Sequence, residues 1–405
     1  MTQSRREFLK SAVGAPALLS LGGAAPVFLN RAAQAAKAEK RTDRVLVVVQ
    51  LSGGNDGLNT VVPYADDAYG RKRSTLRLRG KDVLKINDYV GFHPRMEGFS
   101  RLLKDGRLAI VQGVGCPGSD RSHPGAMRTW HTAQPDHAQC PTGWLGRAID
   151  CASRKAPAGT PGIFVGRIAQ PFALAAQDAI VPTIRSARQL TFRGKGAAGR
   201  RPAGKNPLAN HVRNAYAGAH AANRRIQTAL ADATATDAYP SGGLGPGLKT
   251  VAELIDADVG IRIFFTEFGG GGIGGFDNHA IQRDNHAALL GHLSASLSAF
   301  AADLSARGRL DRVALMTFSE FGRTLTENGR RGTGHGNAAP CFLMGSKVRA
   351  GLIGKHPSLT DLENDAPRFH TDFRRLYATV LTGWLGLDSQ PVLGADFKPI
   401  DVFLT

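Results

Sequence analysis

The segment Arg44-Val45-Leu46-Val47-Val48-Val49-Gln50-Leu51 constrains this chain more than any other, because it offers apolar side chains to both of its faces. Successive strand residues point to opposite sides, so a strand of this composition has to be covered twice. Such runs belong inside a mostly parallel sheet flanked by helices. Further candidates follow at 108–112, 261–265, 313–316 and 340–344, and helical patterns lie at 211–233, 286–306 and 373–385, with Trp384 near the end of the last. Strands alternating with helices predict an α/β fold with a mostly parallel central sheet and helices on both faces. No internal repeat of ~20–50 residues competes with that reading.

The amino-terminal end carries a different message. Ser4-Arg5-Arg6-Glu7-Phe8-Leu9-Lys10 matches the twin-arginine export signature at every position. A mildly apolar stretch follows, and Ala33-Gln34-Ala35 supplies the small-x-small pattern that a signal peptidase accepts. This order predicts a signal peptide over 1–35, a single α/β domain over 36–405, and export by the twin-arginine machinery to the periplasm or beyond. Gly and Pro interrupt the apolar stretch too often for a stable anchor. No later window reaches ~18 uninterrupted apolar residues, so no membrane span is expected after processing.

Charge narrows the partners. The formal net charge is +18. Arg185, Arg188, Arg193, Lys195, Arg200, Arg201 and Lys205 fall in one Gly- and Ala-rich stretch, at about 185–207, without an acid. A nucleic-acid surface would interleave such a run with stacking aromatics or set it on a recognition helix. Only Phe192 is present, so no nucleic acid is expected. A solvated loop, or a loop touching an anionic substrate or envelope component, fits better. Cys116, Cys140, Cys151 and Cys341 lack C-x-x-C spacing, which argues against a zinc–thiolate site. Buried free thiols are expected, with a Cys140–Cys151 bridge formed after export as the alternative.

In parallel sheets chemistry gathers where the strands end. Asp56 follows the first strand in Ser52-Gly53-Gly54-Asn55-Asp56-Gly57, either as a ligand or as a helix cap. Cys116 to His123 follows the second, and includes Ser119, Arg121 and Ser122. Asp277-Asn278-His279 stands in a Gly-rich loop where two ligands can meet one ion, and His286 lies two helical turns further on. Glu320 and Arg323 follow the fourth strand, either as a site pair or as a simple salt bridge, and His335 sits between two glycines. Carboxylates mixed with imidazoles favour a divalent metal such as zinc or manganese.

These segments resemble the domain-of-unknown-function-1501 family, from about residue 44 to residue 387. Leu51 to Gly57, Arg121-Ser122-His123, Gly275 to His279, Ser319 to Arg323 and Asp372-Phe373-Arg374 carry the resemblance. More distantly the chain is similar to the alkaline phosphatase and sulfatase superfamily. That likeness implies Asp56, Asp277, His279 and His335 as metal ligands and Ser122 as the nucleophile, and Glu320 is the fifth expected ligand. Glu320-Phe321 stands where those enzymes hold an Asp-His pair, and Gly334 where many relatives hold an acid, so one metal is as plausible as two. The implied reaction is metal-dependent hydrolysis of a phosphate or sulfate ester. Ser122, before a helix expected over 123–132, would attack, Ser119 is the fallback, and Arg121 and Arg323 would clamp the anion. The alternative is a non-catalytic envelope protein for binding or assembly on a degenerate hydrolase scaffold.

The export reading has a direct test. With Arg5 and Arg6 both changed to Lys, fractionation should find the precursor retained in the cytoplasm, whereas normal periplasmic accumulation would refute it.

Overall fold

The structure is a computed structural model describing residues 44–404 apart from 119, 135–139, 156–160, 191–222, 225, 229, 232–237 and 270–274. The expected signal peptide, Ser119, most of the helix expected at 211–233 and the basic stretch beyond 190 lie outside the described residues. Arg185 and Arg188, where that stretch begins, are exposed.

Nine strands form the central sheet. They are β1 (Val45–Leu51), β2 (Leu108–Gly115), β3 (Gly162–Val165), β4 (Thr183–Ile184), β5 (Ile263–Phe268), β6 (Val313–Phe318), β7 (Ala339–Met344), β8 (Gly351–Ile353) and β9 (Thr371–Asp372). The order is β8-β2-β7-β6-β1-β5-β3-β4, and β9 extends the β8 edge of β2. β1 lies at the centre, parallel to β5 and β6. Only β7 runs against its neighbours.

The helices that cover the sheet are α1 (Glu97–Lys104), α2 (His123–Thr132), α3 (Trp144–Lys155), α4 (Gly245–Asp256), α5 (Gln282–Ala306) and α6 (Phe373–Ala378). β1 shows why both faces need them. Val45, Val47, Val49 and Leu51 enter one core with residues of α1, α4 and α5, while Leu46 and Val48 enter a second with Trp130, Trp144 and Phe373 from α2, α3 and α6. Each fully buried Val or Leu contributes ~1.5–3 kcal/mol, so stranding either face of this one strand would cost an amount comparable with a domain's net stability of ~5–15 kcal/mol. The α5 helix is long and apolar enough to cross a membrane by length and composition alone. Its Leu290, Leu293, Leu297, Phe300 and Leu304 are fully buried in the first core.

The expected fold class is the one observed. The differences are local. β2, β5 and β6 run further toward their carboxyl ends than the apolar runs indicate, because Thr266 and Thr317 are buried within strands and β2 continues through Gly113, Val114 and Gly115. The short strands β3, β4, β8 and β9 are two to four residues long and leave little periodicity to read. The segment 373–385 starts as α6 but finishes as a π-helical turn, Thr379–Leu385, closed by left-handed Gly386. All four cysteines are free, including Cys140 and Cys151, so the bridge left open between them is not formed.

One polar contact is buried as deeply as the core. Arg73 is 0% and Asp56 1% exposed. Arg73 Nη1 donates to Asp56 Oδ2 at 2.5 Å and its Nη2 to Oδ1 at 3.0 Å. Burial pushes the Asp56 carboxyl upward, but the Arg73 charge and hydrogen bonds outweigh it and hold the group below its ordinary value. A depressed native value gives stability that is present above the unfolded-state pKa and is lost as the pH falls through the native one. The urea midpoint should therefore decline as the pH drops below ~4. At pH 7, Arg73→Met should cost ~3–5 kcal/mol in urea denaturation, because it leaves Asp56 buried and uncompensated. A loss under ~1 kcal/mol would mean the pair contributes no more than a surface contact.

Candidate metal centre

Because every strand except β7 points the same way, the loops after β1, β2, β5 and β6 leave one edge of the sheet. β7 starts at that edge, and the hairpin of Arg323–Glu327 and Thr333–His335 precedes it there. His123 opens α2 after β2, Asp277 and His279 follow β5, and His335 closes the hairpin. One ligand-type atom from each of these four residues lies within 4.8 Å of the others.

The polarity of the cluster can be worked out atom by atom. His335 Nδ1 is 2.5 Å from the Arg121 carbonyl oxygen. A carbonyl can only accept, so the proton is assigned to Nδ1 and Nε2 is a bare lone pair. That Nε2 is 2.8 Å from His279 Nε2 and 3.3 Å from Asp277 Oδ1. His279 Nε2 is also 2.9 Å from Asp277 Oδ1. His123 Nδ1 faces Glu320 Oε1 at 2.9 Å, which assigns its proton in the same way. Its Nε2 stands 3.3 Å from Asp277 Oδ2, yet is buried and makes no hydrogen bond. When the ring is charged this contact is an ion pair with Asp277, and when the ring is neutral its Nε2 is left unsatisfied.

The ionisation of the group follows from its neighbours. Burial works against the Asp277 carboxylate, but the hydrogen bond and charge of Arg323, with His123 and His279, hold it down at about 2. Burial, with Arg323 and His335, lowers His279. The hydrogen bond that His123 Nδ1 donates to Glu320 raises the His123 pKa, as an orienting carboxylate does when it makes a ligand more basic. Imidazole lone pairs converging on a carboxylate suit a divalent cation. The orphaned Nε2 of His123 is the observation that tests this, and it fits.

The structure brings together Asp277, His279 and His335 of the residues singled out in the sequence. It does not bring Asp56 to them, because both of its oxygens are taken by Arg73, with Gln282 Nε2 adding a contact at 2.5 Å. Glu320 stands behind His123 rather than in the cluster, and its Oε1 also accepts from the Gly53 amide at 2.8 Å. His286 is buried elsewhere, against Asn55 Oδ1 at 2.9 Å.

Arg323 is not free to clamp an anion. It is 2% exposed and donates to the carbonyls of Gly53, Gly54, Phe276 and Thr333 and to Asp277 Oδ1. The Arg121 guanidinium donates to the Glu363 carbonyl at 2.8 Å. Ser122 caps α2, its Oγ accepting from the Gly125 amide at 3.3 Å and donating to Asp120 Oδ2 at 2.9 Å. Asp372, in the last of the quoted segments, caps α6 and pairs with Arg374 at 2.5 Å. The residue that sequence reasoning passed over is His123. Its signal was present: a histidine at the carboxyl end of a sheet strand, next to the serine chosen instead.

The architecture defines an α/β protein whose His and Asp side chains gather at the carboxyl edge of a mostly parallel sheet. Residues 43–397 match the family described as a protein of unknown function (DUF1501), and the chain belongs to it. Solved structures similar to it include a protein in the alkaline phosphatase superfamily from Vibrio parahaemolyticus, at 9% identity and TM-score 0.37 over 91% of this chain and 77% of that one. The lipoteichoic acid synthase LtaP from Listeria monocytogenes is 9% identical, with TM-score 0.41 over 92% of this chain and 81% of its own. The phosphonate monoester hydrolase of Agrobacterium radiobacter is 9% identical, with TM-score 0.36 over 88% and 78%. No curated protein matches the chain in sequence.

The orienting role of Glu320 yields a measurable expectation. Glu320→Gln should weaken zinc affinity ~10–100-fold in competition with a chromophoric chelator, while the exposed His292→Ala should not change it. Equal affinities for the wild type and Glu320→Gln would show that His123 does not depend on Glu320.

Proposed function

We propose that this chain is exported by the twin-arginine route, loses residues 1–35, and acts outside the cytoplasmic membrane as a metal-dependent hydrolase of phosphate or sulfate esters. The translocation machinery is then its partner in export, and an anionic small molecule or envelope component its substrate. The convergence of His123, Asp277, His279 and His335, with Nε2 of His123 and of His335 both turned toward Asp277, carries the reading. These four residues would hold the ion, with zinc or manganese favoured by the donor set. A divalent ion in such a cradle supplies Lewis-acid polarisation of an ester oxygen.

The chain's own residues divide the remaining work. Glu320 and the Arg121 carbonyl accept from the far nitrogens of His123 and His335 and so turn the near ones toward Asp277. Arg323 holds Asp277 ionised and in place. Ser122 is next to His123 in the chain, and its hydroxyl already donates to Asp120. In the attack, Ser122 Oγ would bond to phosphorus or sulfur as the bond to the ester oxygen breaks, with the serine proton passing to Asp120 and on to the leaving oxygen. Water would then hydrolyse the Ser122 ester, releasing phosphate or sulfate and restoring the serine. Asp277 and His279 remain partly open to solvent, with side chains 39% and 42% exposed, so an ester can reach them.

A second reading, an envelope protein for binding or assembly, is favoured by the internal commitment of Arg121 and Arg323, which leaves the anion clamp unsupported. Elemental analysis and turnover of aryl phosphate and aryl sulfate separate the two. Ser122→Ala should lower kcat by ~10³-fold or more with metal content unchanged, whereas Asp277→Asn should lower both. Full activity in Ser122→Ala would remove it as nucleophile. Metal without turnover of either ester would favour the binding reading, and absence of metal would refute the centre itself.

A further inference from the structure

A second concave site lies away from the metal centre. It is a cavity of about 480 Å³ whose walls include Asp66, Asn87, Tyr89, Gln112, Lys355 and His356, and none of the four cluster residues. A volume of this size falls in the range of small-molecule sites. Its walls come from the loop before α1, from β2, and from the segment after β8.

Two groups in the wall lack something specific. Gln112 is 4% exposed, and its Nε2 donates to the Gly354 carbonyl at 2.8 Å. Its Oε1 has no partner, which is costly for a buried amide oxygen. His356 Nδ1 faces the Pro357 carbonyl at 2.8 Å, so its proton is assigned there and Nε2 is an acceptor. Burial lowers the imidazole below its ordinary value, which keeps it neutral at pH 7. Both groups therefore ask for donated hydrogen bonds.

The rest of the wall narrows the ligand. Tyr89 is 36% exposed and meets the His356 ring edge-on at 5.5 Å, while its hydroxyl is tied to Asp66 Oδ2 at 2.8 Å. That leaves a ring surface held in a fixed orientation. An anion would meet the Asp66 carboxylate. A cation would meet the Lys355 ammonium. A neutral molecule with several hydroxyls and an apolar C–H face satisfies both acceptors and the ring.

We propose that this cavity binds a neutral, hydroxyl-rich ligand of saccharide size, separately from the chemistry at the metal centre. Calorimetric titration of the full chain with D-glucose, N-acetyl-D-glucosamine, maltose and myo-inositol tests it, with inorganic phosphate as the anionic comparison. At least one neutral probe should bind saturably and remain bound in excess EDTA. Tyr89→Ala and His356→Phe should each weaken that binding about tenfold. Tyr89 is at the surface, so its variant should stay folded, as circular dichroism would verify. Failure of all four neutral probes, binding of phosphate alone, or binding indifferent to both substitutions would overturn the assignment. None of these outcomes bears on ester turnover or metal content, so this site and the hydrolase reading stand or fall separately.

Discussion

The guanidinium of Arg323 holds the centre together. A buried cation has to be neutralised and hydrogen-bonded on every side, or it costs several kcal/mol. Arg323 meets that demand by drawing in the backbone after β1 through Gly53 and Gly54, the loop after β5 through Phe276 and Asp277, and the hairpin through Thr333. Three separate loops are thus fixed by one side chain. The planar fork of arginine suits this task, whereas a lysine ammonium could not reach so many acceptors at once. Gly53 completes the arrangement. It has φ +114°, and a Cβ there would come 2.5 Å from the Asp277 amide nitrogen.

The Arg73–Asp56 pair braces the same loops from beneath. Arg73 also donates to Asn59 Oδ1 and to the Thr324 and Leu325 carbonyls, while Gln282 links Asp56 to Thr333 through its two amide atoms. Replacing such a pair with apolar residues of the same shape can be neutral or stabilising. Its role here is positional, since it ties the turn after β1 to the start of α5 and to the hairpin that presents His335.

The imidazoles follow one rule. His123 and His335 each place an acceptor-only partner on Nδ1, a carboxylate in one case and a backbone carbonyl in the other, and so turn Nε2 to the cluster. Partners of this kind orient metal-binding histidines and set their tautomer. Glu320 and the Arg121 backbone therefore matter to the centre without joining it. Ser122 carries two functions in one atom, since the oxygen that caps α2 is also the one that donates to Asp120.

The sequence by itself determined the layered sheet and the edge at which chemistry would collect. A strand apolar on both faces has only one kind of environment, and parallel strands deliver their following loops to one side. Asp277, His279 and His335 were legible for that reason. The tertiary structure alone decided which charges stay inside the protein. Asp56 and Glu320 looked like ligands because a carboxylate in a Gly-rich turn has the same local sequence whether it meets an ion, an arginine or a histidine. Arg323 looked free because four of its acceptors are backbone carbonyls, which every residue carries and no sequence pattern marks. Burial removes the water that would otherwise satisfy such groups, and which partner replaces it depends on contacts between residues as distant as Gly53 and Arg323.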